Sequence, residues 1–351
     1  MSGWTDCHVH VLDGGLEELK ALCLSQLAYG YDKSNFLSVE GMNDAAQNAL
    51  AIAFKCLSPN HYAFGSLHYR FDYDFAGELQ ALWDMGLDGL KMIENKPTER
   101  KALGYAQDDA RYSAMYTLAE RLDIPMLIHV NDPRDFWDPE KAPAWAVEAG
   151  YAYCDGSFVP FETILSESVS MLEKHPGLRV CFAHMMFLSD DLPRLTRLME
   201  RFPNMHLDIT SGTEMYHNFT GDREGWSAFF HRFGDRILYG TDNCNRMDDH
   251  EREIGDTIND LQKRFLTTDQ PFPLWDSQVQ GFGLDDELVG RISQTNFDRF
   301  ASPAPRPLDS EKAYRYLRDR LEDPRFCLTD RERKIIAQIQ EILRKNQGKI
   351  P

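Results

Sequence analysis

The sequence predicts an α/β protein of the (β/α)8 type, a TIM barrel, with a long loop after the fifth strand and a helical extension at the C-terminal end. Three observations favour this fold. Short β-type runs alternate with longer amphipathic segments along the 351 residues. Four β-type runs end in histidine or aspartate, as barrel strands do around an active site. The first run lacks a following glycine-rich phosphate loop, which argues against an open, doubly wound sheet.

Eight short runs have the length and apolar character of strands, and helical periodicity fills the segments between them. The predicted strands are Thr5–Val11, Ala21–Leu27, Tyr62–Leu67, Gly89–Ile93, Pro125–Val130, Arg179–Ala183, Met205–Ile209 and Arg236–Gly240. The predicted helices are Asp44–Leu57, Asp74–Met85, Asp108–Leu122, Phe161–Lys174, Asp190–Arg201 and Glu224–Phe233. Strands that alternate with helices in this way form a parallel sheet, here closed as a barrel.

Two segments exceed a minimal barrel. Asn131–Pro160 is a long connection rich in proline, aspartate and aromatic residues, which indicates either a binding loop or a packed surface excursion. A Pro-Ala-Pro-Arg-Pro break at Pro303 to Pro307 then separates a barrel domain, residues 1–302, from a helical extension, residues 303–351.

The extension contains the pattern of an amphipathic helix. Thr329 and Glu332 have the spacing of a capping box. Apolar residues follow at helical spacing, namely Ile335, Ile336, Ile339, Ile342 and Leu343. We expect this face to pack on the barrel; the alternative is a contact between two copies in a homo-oligomer.

Composition excludes several classes of protein. Lys and Arg number 38 and Asp and Glu 56, a net charge of −18, which argues against nucleic-acid or anionic-membrane partners. The seven cysteines are dispersed without a CxxC pair, so we expect neither a thiolate zinc site nor a redox dithiol. Because the chain also lacks a basic leader and a bilayer-length apolar run, we expect a cytoplasmic protein that acts on a small molecule.

The first strand ends in Asp6-Cys7-His8-Val9-His10. Alternate side chains of a strand point to the same face, so His8 and His10 lie on one side and can share a metal ion. Two histidines spaced two residues apart also occur often by chance, and such histidines can have a purely structural role.

Other strand ends strengthen the metal interpretation. His129 ends the run from Pro125, His184 ends the next strand, and Asp242 follows the eighth strand in Gly-Thr-Asp. A buried imidazole or carboxylate costs free energy unless it is paired or metal-bound. Since the carboxyl ends of barrel strands converge on one face, we expect these side chains to meet there.

These residues carry a resemblance. With His8 and His10, His129, His184 and Asp242 in this order, the chain resembles the amidohydrolase superfamily, in the amidohydrolase-related branch that includes aminocarboxymuconate-semialdehyde decarboxylase-like proteins. His129-Val-Asn-Asp-Pro133 and Arg201-Phe-Pro-Asn204 add to the likeness, which spans roughly residues 5–300.

The resemblance implies one divalent metal ion, usually zinc, with manganese or another divalent ion as the alternative. Its implied ligands are His8, His10, His129 and Asp242, a set of imidazoles and one carboxylate that suits Zn²⁺ and leaves a position for water. Asp242 would accept a proton from that water, and His184 would face the substrate as a second catalytic residue.

Three further residues are candidates for substrate binding. Lys91 lies in the fourth strand, where an inward side chain would bind a substrate carboxylate or, when carbamylated, bridge a second metal ion; an outward one would only snorkel. His68 and Arg70 follow the third strand on one side of the chain and are predicted to meet the substrate at the barrel mouth. Arg70, Lys91 and Arg246 together would suit an anionic substrate.

The residues leave more than one function open. The first hypothesis is a metal-dependent hydrolase of a small amide, lactone or ester that uses metal-activated water. The second is a metal-dependent decarboxylase, a C–C lyase, of a small unsaturated or aromatic acid. The third is a barrel without catalysis that binds a ligand. The wider superfamily favours the hydrolase by analogy.

Overall fold

Eight parallel strands pair in sequence order, β1 to β8, in the computed structural model of the protein. The structure describes residues 3–12, 14–40, 44–244 and 249–347. The strands are β1 (Trp4–Val9), β2 (Tyr31–Leu37), β3 (His61–Ser66), β4 (Gly89–Asn95), β5 (Met126–Val130), β6 (Val180–Phe182), β7 (Met205–Asp208) and β8 (Ile237–Leu238).

Fifteen α-helices are described around and beyond these strands. They are α1 (Leu16–Ala28), α2 (Gln47–Leu57), α3 (Phe75–Asp84), α4 (Pro97–Leu103), α5 (Ser113–Leu122), α6 (Ala144–Glu148), α7 (Phe161–Lys174), α8 (Leu192–Arg201), α9 (Thr213–Gly221), α10 (Arg223–Phe233), α11 (Asp249–Thr267), α12 (Asp286–Gly290), α13 (Asn296–Phe300), α14 (Ser310–Glu322) and α15 (Asp330–Gln347). A two-stranded antiparallel hairpin, β9 (Pro271–Leu274) and β10 (Ser277–Gln280), lies outside the barrel. Among the described helices, none is both long and apolar enough to cross a bilayer.

The barrel closes where the segment that contains β8 meets β1. Cys7 N–H donates to the carbonyl of Tyr239 at 3.0 Å, and His10 N–H donates to the carbonyl of Asn243 at 2.8 Å. Gly240 allows this approach, since a Cβ there would lie 2.9 Å from His8 Cβ and 3.0 Å from Cys7 Sγ. The predicted closed barrel is therefore confirmed, and its closure brings the chain ahead of Asp242 against β1.

Two apolar layers stabilise the barrel. The inner layer fills the space enclosed by the strands and includes Leu37, Phe64, Leu127 and Leu238; Phe297 of α13 packs edge-on against Tyr62 there, with ring centroids 5.0 Å apart. The outer layer lies between the strands and the surrounding helices. The polar side chains of the site therefore lie above this apolar layer, at the carboxyl end of the barrel.

One predicted strand is wrong. Ala21–Leu27 lies within helix α1, and the second strand is instead Tyr31–Leu37. In this helix Leu24 and Leu27 are exposed, whereas an apolar run that forms a buried strand would bury them. The true strand contains buried polar residues, and Asn35 Nδ2 donates to the Cys7 carbonyl at 3.1 Å, which satisfies an amide that a strand interior would otherwise leave unpaired.

The C-terminal segment packs through α15 on α2 and α14. The predicted capping box is confirmed: Thr329 N–H donates to Glu332 Oε2 at 2.7 Å, and Glu332 N–H donates to Thr329 Oγ1 at 3.2 Å. Ile336 and Ile339 are fully buried on the face toward the barrel helices. The division into domains at residue 303 and a homo-oligomeric contact stay predictions.

Candidate metal centre

The two histidines of the first strand point to one spot at the carboxyl end of the barrel. His8 and His10 are 1% and 5% exposed, and their Nε2 atoms lie 3.0 Å apart. The pairing register between β1 and β2 shifts between Asp6 and Val9, a local irregularity of the kind that re-aims side chains beside active sites.

The outer nitrogens of both rings bind acceptors. His8 Nδ1 lies 2.9 Å from Asp208 Oδ2, and His10 Nδ1 lies 2.8 Å from the carbonyl oxygen of Leu37. Because a carboxylate and a carbonyl only accept, each Nδ1 carries a proton, and in a neutral ring this leaves Nε2 with its lone pair. Burial and the nearby Lys91 lower the pKa of His8 to about 3, which keeps its ring neutral.

A carboxylate approaches the same spot from the eighth strand. Asp242 Oδ1 lies 3.4 Å from His8 Nε2 and 3.3 Å from His10 Nε2. Burial alone would raise the pKa of Asp242, but the imidazoles of His8, His10 and His184 hold it well below its usual range. Asp242 has a positive φ of 57°, and its N–H donates to the His8 carbonyl at 2.9 Å, which fixes its position beside β1.

His184 reaches the cluster through an unusual backbone. His184, Met185, Met186 and Phe187 all have φ between 51° and 58°, a left-handed turn that costs roughly 1–2 kcal/mol per residue. His184 N–H donates to Asp208 Oδ1 at 2.8 Å, which ties this turn to the carboxylate that positions His8. The ring Nε2 lies 3.9 Å from Asp242 Oδ2.

The donor set fits a divalent cation. One ligand atom each from His8, His184 and Asp242 lie within 4.8 Å of one another, and His10 Nε2 is 3.0 Å from His8 Nε2. Two imidazole nitrogens and a carboxylate oxygen at these separations can share one cation between them, which would offset the repulsion among their lone pairs. Imidazole nitrogens with one carboxylate suit Zn²⁺ among the common metal ions.

His129 is near this cluster, but its Nε2 has another partner. That atom lies 2.7 Å from the carbonyl of Asn131 and 3.5 Å from Asp132 Oδ1. The ring packs edge-on against His184 with centroids 5.0 Å apart. Burial lowers the pKa of His129 to about 4, so its ring is also neutral. The structure thus brings His184 into the group of converging ligand atoms, where the sequence predicted His129.

Lys91 faces inward. Its side chain is 1% exposed, and Nζ lies 3.3 Å from His8 Nε2. Burial lowers the pKa of Lys91 to about 8, against the opposing effect of Asp242 and Asp208. Among the described residues, no carboxylate lies within ion-pair distance of Nζ. Outward snorkelling is therefore excluded.

A cavity of about 340 Å³ opens over these groups. It is lined by His8, His10, Leu12, Val39, Lys91, Ile93, Lys96, Thr98, Glu99, His129, Tyr151, His184 and Asp242. Lys96 and Glu99 follow β4, and sequence reasoning missed both, although Lys96 comes directly after a strand end. Lys96 Nζ donates to both oxygens of Asp132, at 2.8 and 2.9 Å.

The structure places the other two substrate candidates elsewhere. His68 is fully buried, 3.6 Å from Glu40 Oε2, and packs on Phe326 with ring centroids 4.6 Å apart. Arg70 donates to Glu332 Oε1 at 2.6 Å. Neither residue lines the cavity, because the C-terminal segment, whose position the strand pattern does not reveal, covers the end of β3. Arg246 lies outside the described residues.

Asp208 supports the site from the end of β7. In the structure it is fully buried and bonds both His8 and the turn at His184. Burial alone would raise the pKa of its carboxyl, but His8, His184 and Thr210 lower it to about 2. Its place at the end of β7, one strand from β8, is the signal that could have singled it out.

Comparison with known proteins agrees with this architecture. No match was found among curated protein sequences. Among solved structures, the chain is similar to 2,6-dihydroxybenzoate decarboxylase from Rhizobium, at 16% identity and a TM-score of 0.53, over 86% of this chain and 99% of that one. It is also similar to 4-oxalomesaconate hydratase from Rhodopseudomonas palustris, at 14% identity and a TM-score of 0.52, over 85% of this chain and 95% of that one. These identities show a shared fold and no more.

The family comparison goes further, because the model described as amidohydrolase matches residues 5–278, most of the chain. This agrees with the resemblance carried by the strand-end histidines and aspartate. The protein belongs to the amidohydrolase family, whose members are typically metal-dependent enzymes.

Proposed function

We propose that the protein is a metal-dependent hydrolase that opens a small amide, lactone or ester with the help of one divalent ion, zinc. The observation that carries the proposal is the 3.0 Å approach of two imidazole Nε2 atoms, with Asp242 Oδ1 within 3.4 Å of both. Hydrogen bonds from both Nδ1 atoms fix the rings in this orientation, so the arrangement is preorganised for a cation.

His8, His10 and Asp242 would hold the ion. The fourth ligand would be His129, as the family resemblance implies, and this would require its Nε2 to give up the Asn131 carbonyl. The competing fourth ligand would be His184. When bound, the ion supplies a Lewis acid and lowers the pKa of a water molecule toward about 7.

The chain's own residues then handle protons and substrate. Asp242 Oδ2 faces His184 Nε2 at 3.9 Å, so the carboxylate can accept a proton at Oδ2 and the imidazole can hold or return one at Nε2. Both groups line the cavity, so a substrate bound there can reach the carboxylate and the imidazole.

Lys91 supports an anionic substrate. Its Nζ contacts His8 Nε2, which has a single lone pair and cannot accept from Lys91 and hold an ion at once. With the ion in place, the ammonium group is left facing the cavity without a carboxylate partner. A substrate carboxylate, or a phenolate or enolate, would satisfy it.

The same observation favours one second candidate, a metal-dependent decarboxylase of a small unsaturated or aromatic acid. A lysine that holds the carboxylate beside the ion would position such an acid, and the fold is shared with 2,6-dihydroxybenzoate decarboxylase. Both functions use the same ligands, so product chemistry separates them.

The test is a screen of zinc-reconstituted protein against paired substrates, each ester, lactone or amide matched by the free acid. Hydrolysis predicts one ¹⁸O atom from labelled water in the product, whereas decarboxylation predicts release of carbon dioxide. Asp242→Asn should abolish turnover, and Asp276→Asn, on an exposed part of the hairpin, should leave it unchanged. Turnover that survives both Asp242→Asn and removal of zinc would overturn the proposal.

A further inference from the structure

A second cavity, of about 570 Å³, lies beside the metal cavity at the carboxyl ends of β5, β6 and β7. Its walls come from the loop after β5, the turn after β6 and helix α9, and include Arg134, Phe136, Trp145, Phe187, Asp190 and Glu214. This volume is in the range of small-molecule sites. The mechanism proposed above uses none of these residues.

Phe187 separates the two cavities. Its ring stacks on His184 with centroids 4.9 Å apart and contacts His129 at 5.6 Å, while it also lines the second cavity. A molecule in the second cavity is therefore separated from the imidazoles of the candidate metal centre by one aromatic ring.

The second cavity has an aromatic wall at its mouth. Phe136 and Trp145 meet edge to face, with ring centroids 5.5 Å apart. Trp145 is 60% exposed, although it is one of the largest apolar side chains in the protein. Exposed aromatic surface around a concave site is typical of ligand recognition.

The second cavity is lined by Glu214, whose carboxyl group forms no ion pair among the described residues. Oε1 of Glu214 is buried and has no hydrogen-bond partner among the described residues. The basic Arg134 is already paired with Asp190 at 2.8 Å and with Glu162 at 2.7 Å. Lys141 is exposed and lies 4.0 Å from Asp135. Burial, with Asp132, Asp135 and Asp190 nearby, raises the pKa of Glu214 to about 7.

We infer that the second cavity binds a cationic amine that carries an aromatic or other apolar group. Glu214 would accept the hydrogen bonds of the ammonium group, and the faces of Trp145 and Phe136 would cover the apolar part and attract the cation. A buried carboxylate without a partner is costly, and such a ligand removes that cost. Binding of the amine does not depend on the proposed function. If the proposed function holds, the amine is the end of the substrate remote from the reacting bond, and this second statement rests on the proposed function.

The test measures two probes by isothermal titration calorimetry on the full chain. Benzylamine tests the second cavity, and benzoate tests Lys91 in the metal cavity. Glu214→Gln and Trp145→Ala should each weaken benzylamine by at least about tenfold and leave benzoate unchanged. Lys91→Met should do the reverse. Asp242→Asn, which removes a proposed metal ligand, should not change benzylamine binding. Failure of the metal proposal can therefore be distinguished from failure of this inference.

Benzyl alcohol, which has the shape of benzylamine without its charge, is the uncharged control ligand. It should bind at least about tenfold more weakly than benzylamine. Trp145 lies on the surface, so Trp145→Ala remains informative if Glu214→Gln fails to fold. Benzylamine binding that equals that of benzyl alcohol, or that is unchanged in Trp145→Ala, would overturn the inference.

Discussion

The Nδ1 atom of His8 donates to Oδ2 of Asp208 at 2.9 Å, and this bond decides which face of the ring is free for a ligand. Oδ1 of the same carboxylate accepts from His184 N–H at 2.8 Å. One buried group at the end of β7 therefore sets the tautomer of His8 and holds the left-handed turn that delivers His184. Carboxylates that orient metal-binding histidines in this way raise metal affinity.

Replacement of Asp208 by asparagine should weaken zinc binding by about 10- to 100-fold, because the amide cannot accept from both His8 and the turn with equal strength. Competition with a fluorescent zinc chelator measures the affinity. Asp276 is exposed on the hairpin, so Asp276→Asn is the control and should bind zinc with the affinity of the wild type. Unchanged affinity in a folded Asp208→Asn protein would show that this bond does not position a ligand.

Substitution of His129 and of His184 should show which of the two is the fourth ligand. If His129 completes the set, His129→Ala should lose about 10-fold or more in zinc affinity, and His184→Ala should keep zinc but lose turnover. The same chelator titration on both variants gives the result. Loss of zinc in His184→Ala alone would instead assign the fourth position to His184, whose Nε2 lies 3.9 Å from Asp242 Oδ2.

Arg320 of α14 should be essential for stability. It is 2% exposed and donates to Glu40 at 2.6 and 2.8 Å and to Glu78 at 2.6 Å. Arg320→Met leaves two buried carboxylates without their cation and should lower the free energy of unfolding by about 3–5 kcal/mol. Urea denaturation followed by circular dichroism measures this loss.

Arg315→Met is the control for this prediction, because Arg315 is exposed and pairs with Glu311 on the surface of the same helix. It should change the free energy of unfolding by about 0.5 kcal/mol or less. A loss in Arg320→Met no larger than in Arg315→Met would show that the C-terminal helices are not held by this cluster.

Glu94 should make stability fall as pH rises. Its side chain is 2% exposed, Oε2 has no hydrogen-bond partner among the described residues, and burial raises its pKa from 4.5 to about 8. Between these two values the folded chain keeps the proton and the unfolded chain releases it. The free energy of unfolding therefore decreases from pH 5 to 8, by up to about 1.4 kcal/mol per pH unit.

Glu94→Gln should remove this contribution to the slope, since an amide does not titrate. Exposed Glu148→Gln should leave the slope as in the wild type. Urea denaturation at several pH values compares the three proteins. Equal slopes in wild type and Glu94→Gln would show that Glu94 has no raised pKa.

The barrel was predictable because the spacing of apolar residues along the chain reflects which side chains are buried in strands and helices. Seven of the eight predicted strands overlap the observed ones, and Phe161–Lys174 was predicted with both of its ends. The second strand was missed because Ser34 and Asn35, which are buried in it, form side-chain hydrogen bonds that no local pattern reveals. Ala21–Leu27 was misassigned because its apolar run includes residues that a helix exposes.

The site was predictable as far as strand ends define it. His8, His10, His184 and Asp242 follow from the rule that carboxyl ends of barrel strands converge. The side-chain directions were not predictable: His184 depends on a left-handed turn made of non-glycine residues. The positions of His68 and Arg70 depend on the C-terminal segment, which meets the barrel through contacts between residues far apart in sequence. Arg70 and Glu332, for example, are 262 residues apart.

Elemental analysis of protein purified without chelators will show whether His8, His10 and Asp242 hold one divalent ion. We expect about one equivalent of zinc per chain, lost in both His8→Ala and Asp242→Asn and retained in Asp276→Asn. Asparagine tolerates the positive φ of position 242, so that variant removes the charge with the backbone preserved. Wild-type protein without metal after reconstitution, or full metal content in Asp242→Asn, would show that these residues do not form a metal site.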